Sequence, residues 1–474
     1  MYGDDMDENI SMKCGLEIHV QVDTKSKLFC RCPTNYNEVP PNTNICPVCI
    51  GHPGARPMPP NKKAIDIAIM VAKMLGCEIV LNKDIYFQRK HYRYPDLPGG
   101  YQRTTVPVGI NGNFLGVGIT EVHLEEDPGQ YKPDLGVVDY NRSGTPLIEI
   151  VTEPDVKTPE EAREFLKQLM RLFKYIGHLR GEGTMRADVN ISVNYKGIQG
   201  NRVEVKNVNS IKGVYKVLKY EYIRQKNILR RGGEIKRETR AYMESQMITK
   251  AMRSKETADD YRYIPDPDIQ PIVLDNNWVK EVESKMPETP MEKEKRFMEE
   301  YGIKEGDAKV LVSDLALAEV FEKVVHGLGV DEKNINLAVT WIRNELRRVL
   351  AYNKIDFFES NLTYEHLIEL IKLIIDNTIS QKIGKRVIEI MVENRGKKTP
   401  KEIIEELGLT VITNDDVLIN ACEEAIKNNP KAVEDYLNGN KVALNFLMGQ
   451  VMKLTRGRAE PKKVVDILKE KLKN

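Results

Sequence analysis

Residues Gly15–Val22, GLEIHVQV, alternate without a break. Leu16, Ile18, Val20 and Val22 fall on one side, and Glu17, His19 and Gln21 on the other. Period two predicts a strand with one apolar and one polar face. That polar face carries a carboxylate and an imidazole side by side, so whatever sheet forms here must solvate or pair them.

Other stretches repeat the pattern. Glu149 stands inside the apolar run Leu147–Val151, where a buried face would demand a partner for it. Arg186, Asp188 and Asn190 share one face of a predicted strand over 187–194, and Arg202, Glu204 and Lys206 share a face of the next, over 202–207. His123-Leu-Glu-Glu-Asp127 reads as a strand end meeting a turn, with Glu125, Glu126 and Asp127 as three charges at that turn. Tyr140–Pro146 reads as a turn bearing Arg142. Further strands are expected over 83–88, 104–108, 114–124 and 146–152. Helices are expected over 61–75, 159–179 with a stop at Gly181–Gly183, and 212–231 with a stop at Gly232-Gly233. The expected fold is thus α+β, with a polar sheet face over residues 1–294. Helical patterns take over from there and predict a helical domain over 295–408 and a small helical tail domain over 409–474. A chain of 474 residues suits about two to four domains.

A polar sheet face can be plain solvated surface. It can also hold hard cations, since carboxylate oxygens with water suit Mg²⁺ bound to nucleotide phosphates, and nearby arginine and lysine offset developing charge. There is no G-x-x-x-x-G-K-[ST] sequence, which excludes a P-loop as the means.

Cys30-x-Cys32 and Cys46-x-x-Cys49 enclose PTNYNEVPPNTNI, a stretch poor in apolar side chains. Four thiolates suit a closed tetrahedral structural zinc site. Incidental buried cysteines and an Fe–S cluster are the other readings. Cys14, Cys77 and Cys422 read as small core residues. An odd total of seven cysteines argues for a reducing compartment, the cytoplasm being the simplest. The acidic first ten residues predict no secretory signal, and no apolar run is long enough to span a membrane. The net charge of +1 neither favours nor excludes nucleic acid, because a local basic patch fits inside it. Such a patch stands at the end, where Lys453, Arg456, Arg458, Lys462 and Lys463 surround the apolar side of a predicted helix over 461–472.

In order along the chain, GLEIHVQV, RKHYRYPDLPGGYQ, HLEEDPG, DYNRSGTPLIEIVTEPD, GTMRADVNISV, VEVKNVNS and YRYIPDPD resemble the signatures of the B subunits of aspartyl/glutamyl-tRNA(Asn/Gln) amidotransferases. The resemblance implies a glutamine synthetase-like catalytic domain followed by helical domains. It implies an ATP- and Mg²⁺-dependent carbon–nitrogen ligase acting on glutamyl-tRNA(Gln) and, in many members, aspartyl-tRNA(Asn). Ammonia comes from glutamine through the A subunit of such an enzyme, and its small C subunit braces the pair. The family's metal positions fall on Glu17, His19, Glu125 and Glu149, although imidazole is an unusual Mg²⁺ ligand and suits an outer position or a softer ion. Arg142, Arg186 and Lys206 become expected phosphate or substrate contacts, and Asp188, Asn190 and Glu204 expected linings of the cofactor and ammonia approach. The four cysteines match the zinc-bearing form, and the basic tail becomes a tRNA contact. A non-catalytic tRNA-binding scaffold is the alternative.

Overall fold

A computed structural model describes residues 9–180, 182–254, 261–409, 415–438, 440, 442–455 and 457–472. The chain divides into two compact units, Met1–Thr289 and Pro290–Asn474. The first mixes a large sheet with helices, and the second is helical.

Ten strands trace the main path of a thirteen-stranded sheet: β1 (Ile10–Gln21), β2 (Phe87–His91), β3 (Tyr101–Thr105), β4 (Val117–Glu126), β5 (Pro146–Thr152), β6 (Arg186–Tyr195), β7 (Val203–Val208), β8 (Glu238–Met243), β9 (Ile248–Ser254) and β10 (Ile264–Pro265). Their order is β9-β8-β7-β6-β1-β5-β4-β3-β2-β10. Only the β7–β8 pair is parallel along this path. The alternating strand GLEIHVQV lies at the centre. Its odd-numbered polar residues point one way, and Leu16, Ile18 and Val20 are buried on the other.

That apolar face is covered by helices α1 (Lys62–Met74), α2 (Pro159–Ile176) and α3 (Ile211–Arg230). Each begins at a residue suited to capping it. Asn61, Thr158 and Ser210 accept hydrogen bonds from the first-turn N–H groups of their helices. α2 ends earlier than expected, at Ile176, because Gly177 takes the left-handed conformation that closes a helix. The expected stop at Gly181 lies outside the described residues. The single strand expected over 114–124 is a hairpin instead: Gly109–Phe114 turns back through Leu115 and Gly116, both at positive φ, into β4.

In the second unit one apolar cluster forms around Phe297, Phe321, Leu346, Leu370 and Val387. A separate cluster forms around Leu418, Leu447, Val451, Val464 and Leu468. Among the described residues, no helix is long and apolar enough to cross a membrane.

Candidate functional site

The sheet register sets the site. On β1, His19 faces Glu149 of β5 and Arg186 of β6, while Glu17 faces Asp188. Glu149 faces His123 of β4, Leu147 faces Glu125, and Glu125 faces Thr104 of β3. Asn190 of β6 faces Glu204 of β7. Antiparallel pairing, interrupted by register shifts at Ala187/Val189 and Val151/Thr152, gathers polar side chains from six strands onto one face.

His19 stands at the centre. Its Nε2 lies 3.7 Å from Glu125 Oε2, 3.7 Å from Glu149 Oε1 and 3.9 Å from Glu17 Oε1. Burial opposes its charge, but Glu149, Glu125, Glu17 and Asp188 outweigh burial and raise its pKa. Burial, joined by the neighbouring Glu149 carboxylate, raises the pKa of Glu17. Two groups on this face bring ligand atoms within 4.8 Å of one another: Glu17, His19 and Glu149, and Glu17, Asp188 and Glu204. Glu17 belongs to both. The second set offers only oxygen, as a hard divalent cation prefers, whereas the first adds a nitrogen. Lys206 Nζ sits 3.1 Å from Asp188 and 3.5 Å from Glu204, offsetting part of their charge.

A cavity of about 630 Å³ opens over this face, with Glu17, Glu149, Arg202, Lys206 and Arg237 among its walls. A smaller cavity of about 300 Å³ adjoins it and includes His19, Tyr92, Arg186 and Asp188. Glu17, Lys90, Lys206 and Tyr261 line both.

The three acids of HLEED do not act as one turn cluster. Alternation sends Glu125 into the polar face, where Gln102 Nε2 donates to it at 3.1 Å. Glu126 turns to the opposite face and pairs with Arg103 at 3.4 Å. Asp127 enters the turn, accepts from Gln21 Nε2 at 2.5 Å, and lies 3.4 Å from Arg186 and 3.5 Å from Arg142. Arg142 also donates to the carbonyls of Pro128 and Gly129. It therefore holds the turn together and lines neither cavity.

The Sγ atoms of Cys30, Cys32, Cys46 and Cys49 lie within 4.8 Å of one another. This donor set fits zinc, which four thiolates would leave with net negative charge. The surroundings answer that charge. Lys27, 1% exposed, directs its ammonium to Cys49 Sγ at 3.4 Å, and the Cys46 N–H donates to the same sulfur at 3.2 Å. The clasp is fastened to the Arg142 turn: Ser143 Oγ donates to Cys49 O, Asn44 N donates to Asn141 Oδ1, and Leu28 N donates to Gly144 O. Cys14, Cys77 and Cys422 are buried apart from it, their thiols pushed up by burial to about 12, 11 and 11.

Residues 12–280 match the GatB/GatE catalytic domain family, and residues 319–472 match the GatB domain family. The B subunit of the aspartyl/glutamyl-tRNA(Asn/Gln) amidotransferase of Methanococcus aeolicus is 80% identical over 98% of this chain and 99% of its own length. The protein of the same name from Methanocaldococcus jannaschii is 74% identical over 98% of each chain. That of Methanothermobacter thermautotrophicus is 58% identical over 97% of this chain and all of its own. The chain belongs to the family of aspartyl/glutamyl-tRNA(Asn/Gln) amidotransferase B subunits.

In this member of the family the polar face also holds residues that no local sequence pattern singles out. Lys90 of β2 is one. Burial opposes its charge, but Glu149, Glu125 and Glu17 outweigh it and raise its pKa well above the lysine value. Its ammonium also lies 5.0 Å from the Tyr261 ring centroid. His123 is another. Burial would lower its pKa, but Glu121, 2.9 Å from Nε2, together with Glu149, raises it to about 9. The imidazolium thus stabilises the fold fully below the unfolded value of about 6.5, and that contribution is lost as pH rises through about 9. Stability measured by urea unfolding should fall from pH 7 to pH 10 by on the order of 1–3 kcal/mol more in the native chain than in His123→Gln. Equal slopes would contradict the pairing.

In the tail, Lys453, Lys462 and Lys463 are exposed. Arg458 is half-buried and donates to the carbonyls of Gly408 and Thr455. Arg456 lies outside the described residues. Val464, Leu468 and Leu472 are buried, and Val465 and Ile467 partly so.

The cysteine geometry gives a direct expectation. Purified chain should carry one zinc, measured by metal analysis. Cys46→Ser should lose it, and His19→Ala should retain it. Zinc loss on changing His19 alone, with the fold intact, would overturn the division into two sites.

Proposed function

We propose that this chain is the catalytic subunit that activates the side-chain carboxylate of glutamyl-tRNA(Gln), and of aspartyl-tRNA(Asn), with ATP and Mg²⁺, and then amidates it. The convergence of Glu17, Glu125 and Glu149 around His19, beside the all-oxygen set Glu17, Asp188 and Glu204, carries this reading. A solvated surface has no need to bury carboxylates beside one another, since like charges repel.

A free carboxylate is a poor electrophile, and phosphorylation supplies it with a leaving group. A carboxylate oxygen attacks the γ-phosphorus of ATP, and ADP leaves. Ammonia then attacks the carboxyl carbon, phosphate departs with that oxygen, and the nitrogen sheds a proton. Glu17, Asp188 and Glu204, with Glu149 adjacent, would hold Mg²⁺, which supplies charge neutralisation on the phosphates. Lys90 and Lys206 place fixed positive charge where the transferring phosphoryl group gains negative charge. Glu125 and Glu149 are available acceptors for the proton from nitrogen. Water reaching this intermediate would hydrolyse the acyl phosphate, so amidation requires its exclusion once the substrates are bound.

Ammonia would come from glutamine through the amidotransferase A subunit, with the C subunit as brace, in the cytoplasm. A helix-backed sheet with a polar face is compatible with a glutamine synthetase-like cradle. The clasp would hold structural Zn²⁺, and the exposed lysines of the tail would meet tRNA phosphates. In the reconstituted complex, ATP hydrolysis should require Mg²⁺ and rise when glutamyl-tRNA(Gln) is added. Parallel assays with aspartyl-tRNA(Asn) would define the substrate range. ATP consumption indifferent to charged tRNA would favour the scaffold reading instead.

A further inference from the structure

Two arginines stand at the entrance of the one parallel strand pair on the sheet's main path. Arg202 immediately precedes β7 and Arg237 immediately precedes β8. The pair sets Glu204 against Thr239 and Lys206 against Ala241. Continued two residues beyond the paired positions, the same register would bring Arg202 beside Arg237, on the face that carries Glu204 and Lys206. Both are exposed, and both line the cavity of about 630 Å³ with Glu17 and Glu149.

Like charges on neighbouring strands repel. The other cation on β7 resolves this locally, because Lys206 meets Asp188 and Glu204. Among the described residues, neither Arg202 nor Arg237 meets a carboxylate. A paired guanidinium site without an internal anion is complementary to an external one. Planar guanidinium groups match phosphate oxygens with two parallel donors. The cavity has the volume of a small-molecule site. Glu204, two residues from Arg202, belongs to the oxygen-only set with Glu17 and Asp188. Glu17 and Glu204 of that set line the same cavity as the two arginines, and Asp188 lines the adjoining one, so a divalent-cation site stands beside a double anion site, as a metal-bound polyphosphate requires.

We infer that Arg202 and Arg237 form a clamp for the terminal phosphates of a Mg²⁺-bound nucleoside triphosphate. This deepens the proposed function and rests on it. It also assigns the phosphate contact expected of Arg142 to different residues, since Arg142 is engaged in its own turn.

The test measures binding of MgADP to the reconstituted complex, with steady-state amidation alongside. Arg202→Gln and Arg237→Gln should each weaken MgADP binding by about tenfold, and the double variant by at least about thirtyfold. The KM for ATP should rise in step. The KM for glutamyl-tRNA(Gln) should stay within about threefold of native, and Arg→Lys variants should be intermediate. Both positions are exposed, so the melting temperature should not move. MgADP binding within twofold of native in the double variant would overturn the clamp. So would a raised KM for the tRNA alone, which would reassign the pair to tRNA backbone phosphates. A native complex that binds MgADP but never amidates in an ATP-dependent way would refute the proposed function, while the binding series still judges the clamp. A native complex that binds no nucleotide would refute both.

Discussion

Glu149→Gln in the reconstituted complex is expected to lower ATP-dependent amidation by at least about a thousandfold, in kcat rather than KM. The substitution is nearly isosteric. Glu149 is 8% exposed, its backbone pairs with β1 and β4, and neither contact needs the charge. The fold should therefore survive, as near-native melting would verify. In the proposed mechanism the charge is what matters: it lies 3.7 Å from His19 Nε2, in one of the two candidate cation sets. Glutamine keeps one carbonyl oxygen but cannot neutralise a cation. Amidation unchanged by this substitution would reduce the polar face to decoration and leave the scaffold reading.

Asp266→Ala is expected to destabilise the chain by about 3 kcal/mol in urea unfolding. The Asp266 side chain is fully buried between two guanidiniums, 2.9 Å from Arg89 Nε and 2.7 Å from Arg103 Nε. Arg89 and Arg103 face each other across β2 and β3, on the side opposite Lys90 and Gln102. Removing the carboxylate leaves two facing cations behind the floor of the cradle. Glu126 and Asp268 moderate the loss by keeping one contact to each arginine. Burial alone would raise the pKa of Asp266, but Arg89 and Arg103 outweigh it and lower it. Its contribution is therefore complete above the unfolded value of about 3.9 and is lost as pH falls through the depressed folded value. The difference between native chain and variant should shrink in acid. A difference constant from pH 7 down to pH 2 would contradict the assignment.

Much of the cradle could be read from alternation. Glu17 and His19 stand out because Leu16, Ile18 and Val20 fix the strand's period, and Glu149 because Ile148 and Ile150 flank it. The cysteine spacing was legible for the same kind of reason, since ligand geometry imposes short local intervals. Lys90 was not legible. It lies in RKHYRY, where every neighbour is polar or aromatic and no apolar series marks which face is inside. Lys27 reads as a solvated lysine in DTKSKLF, and only the folded chain brings Cys49 beneath it. HLEED resembles a turn cluster because three like charges suit solvent. The strand in fact runs through Glu126, so alternation separates the acids by face. The Arg202–Arg237 pairing depends on a parallel register between segments joined by α3, which no local pattern encodes.

Phosphoryl transfer to the side-chain carboxylate of a tRNA-bound amino acid can be followed with glutamyl-tRNA(Gln) carrying ¹⁸O at both oxygens of that carboxylate, in the reconstituted complex with ATP, Mg²⁺ and glutamine. If the carboxylate oxygen attacks the γ-phosphorus, the inorganic phosphate released will contain one ¹⁸O for each amide formed. Phosphate free of ¹⁸O, at the same yield of amide, would exclude an acyl phosphate intermediate.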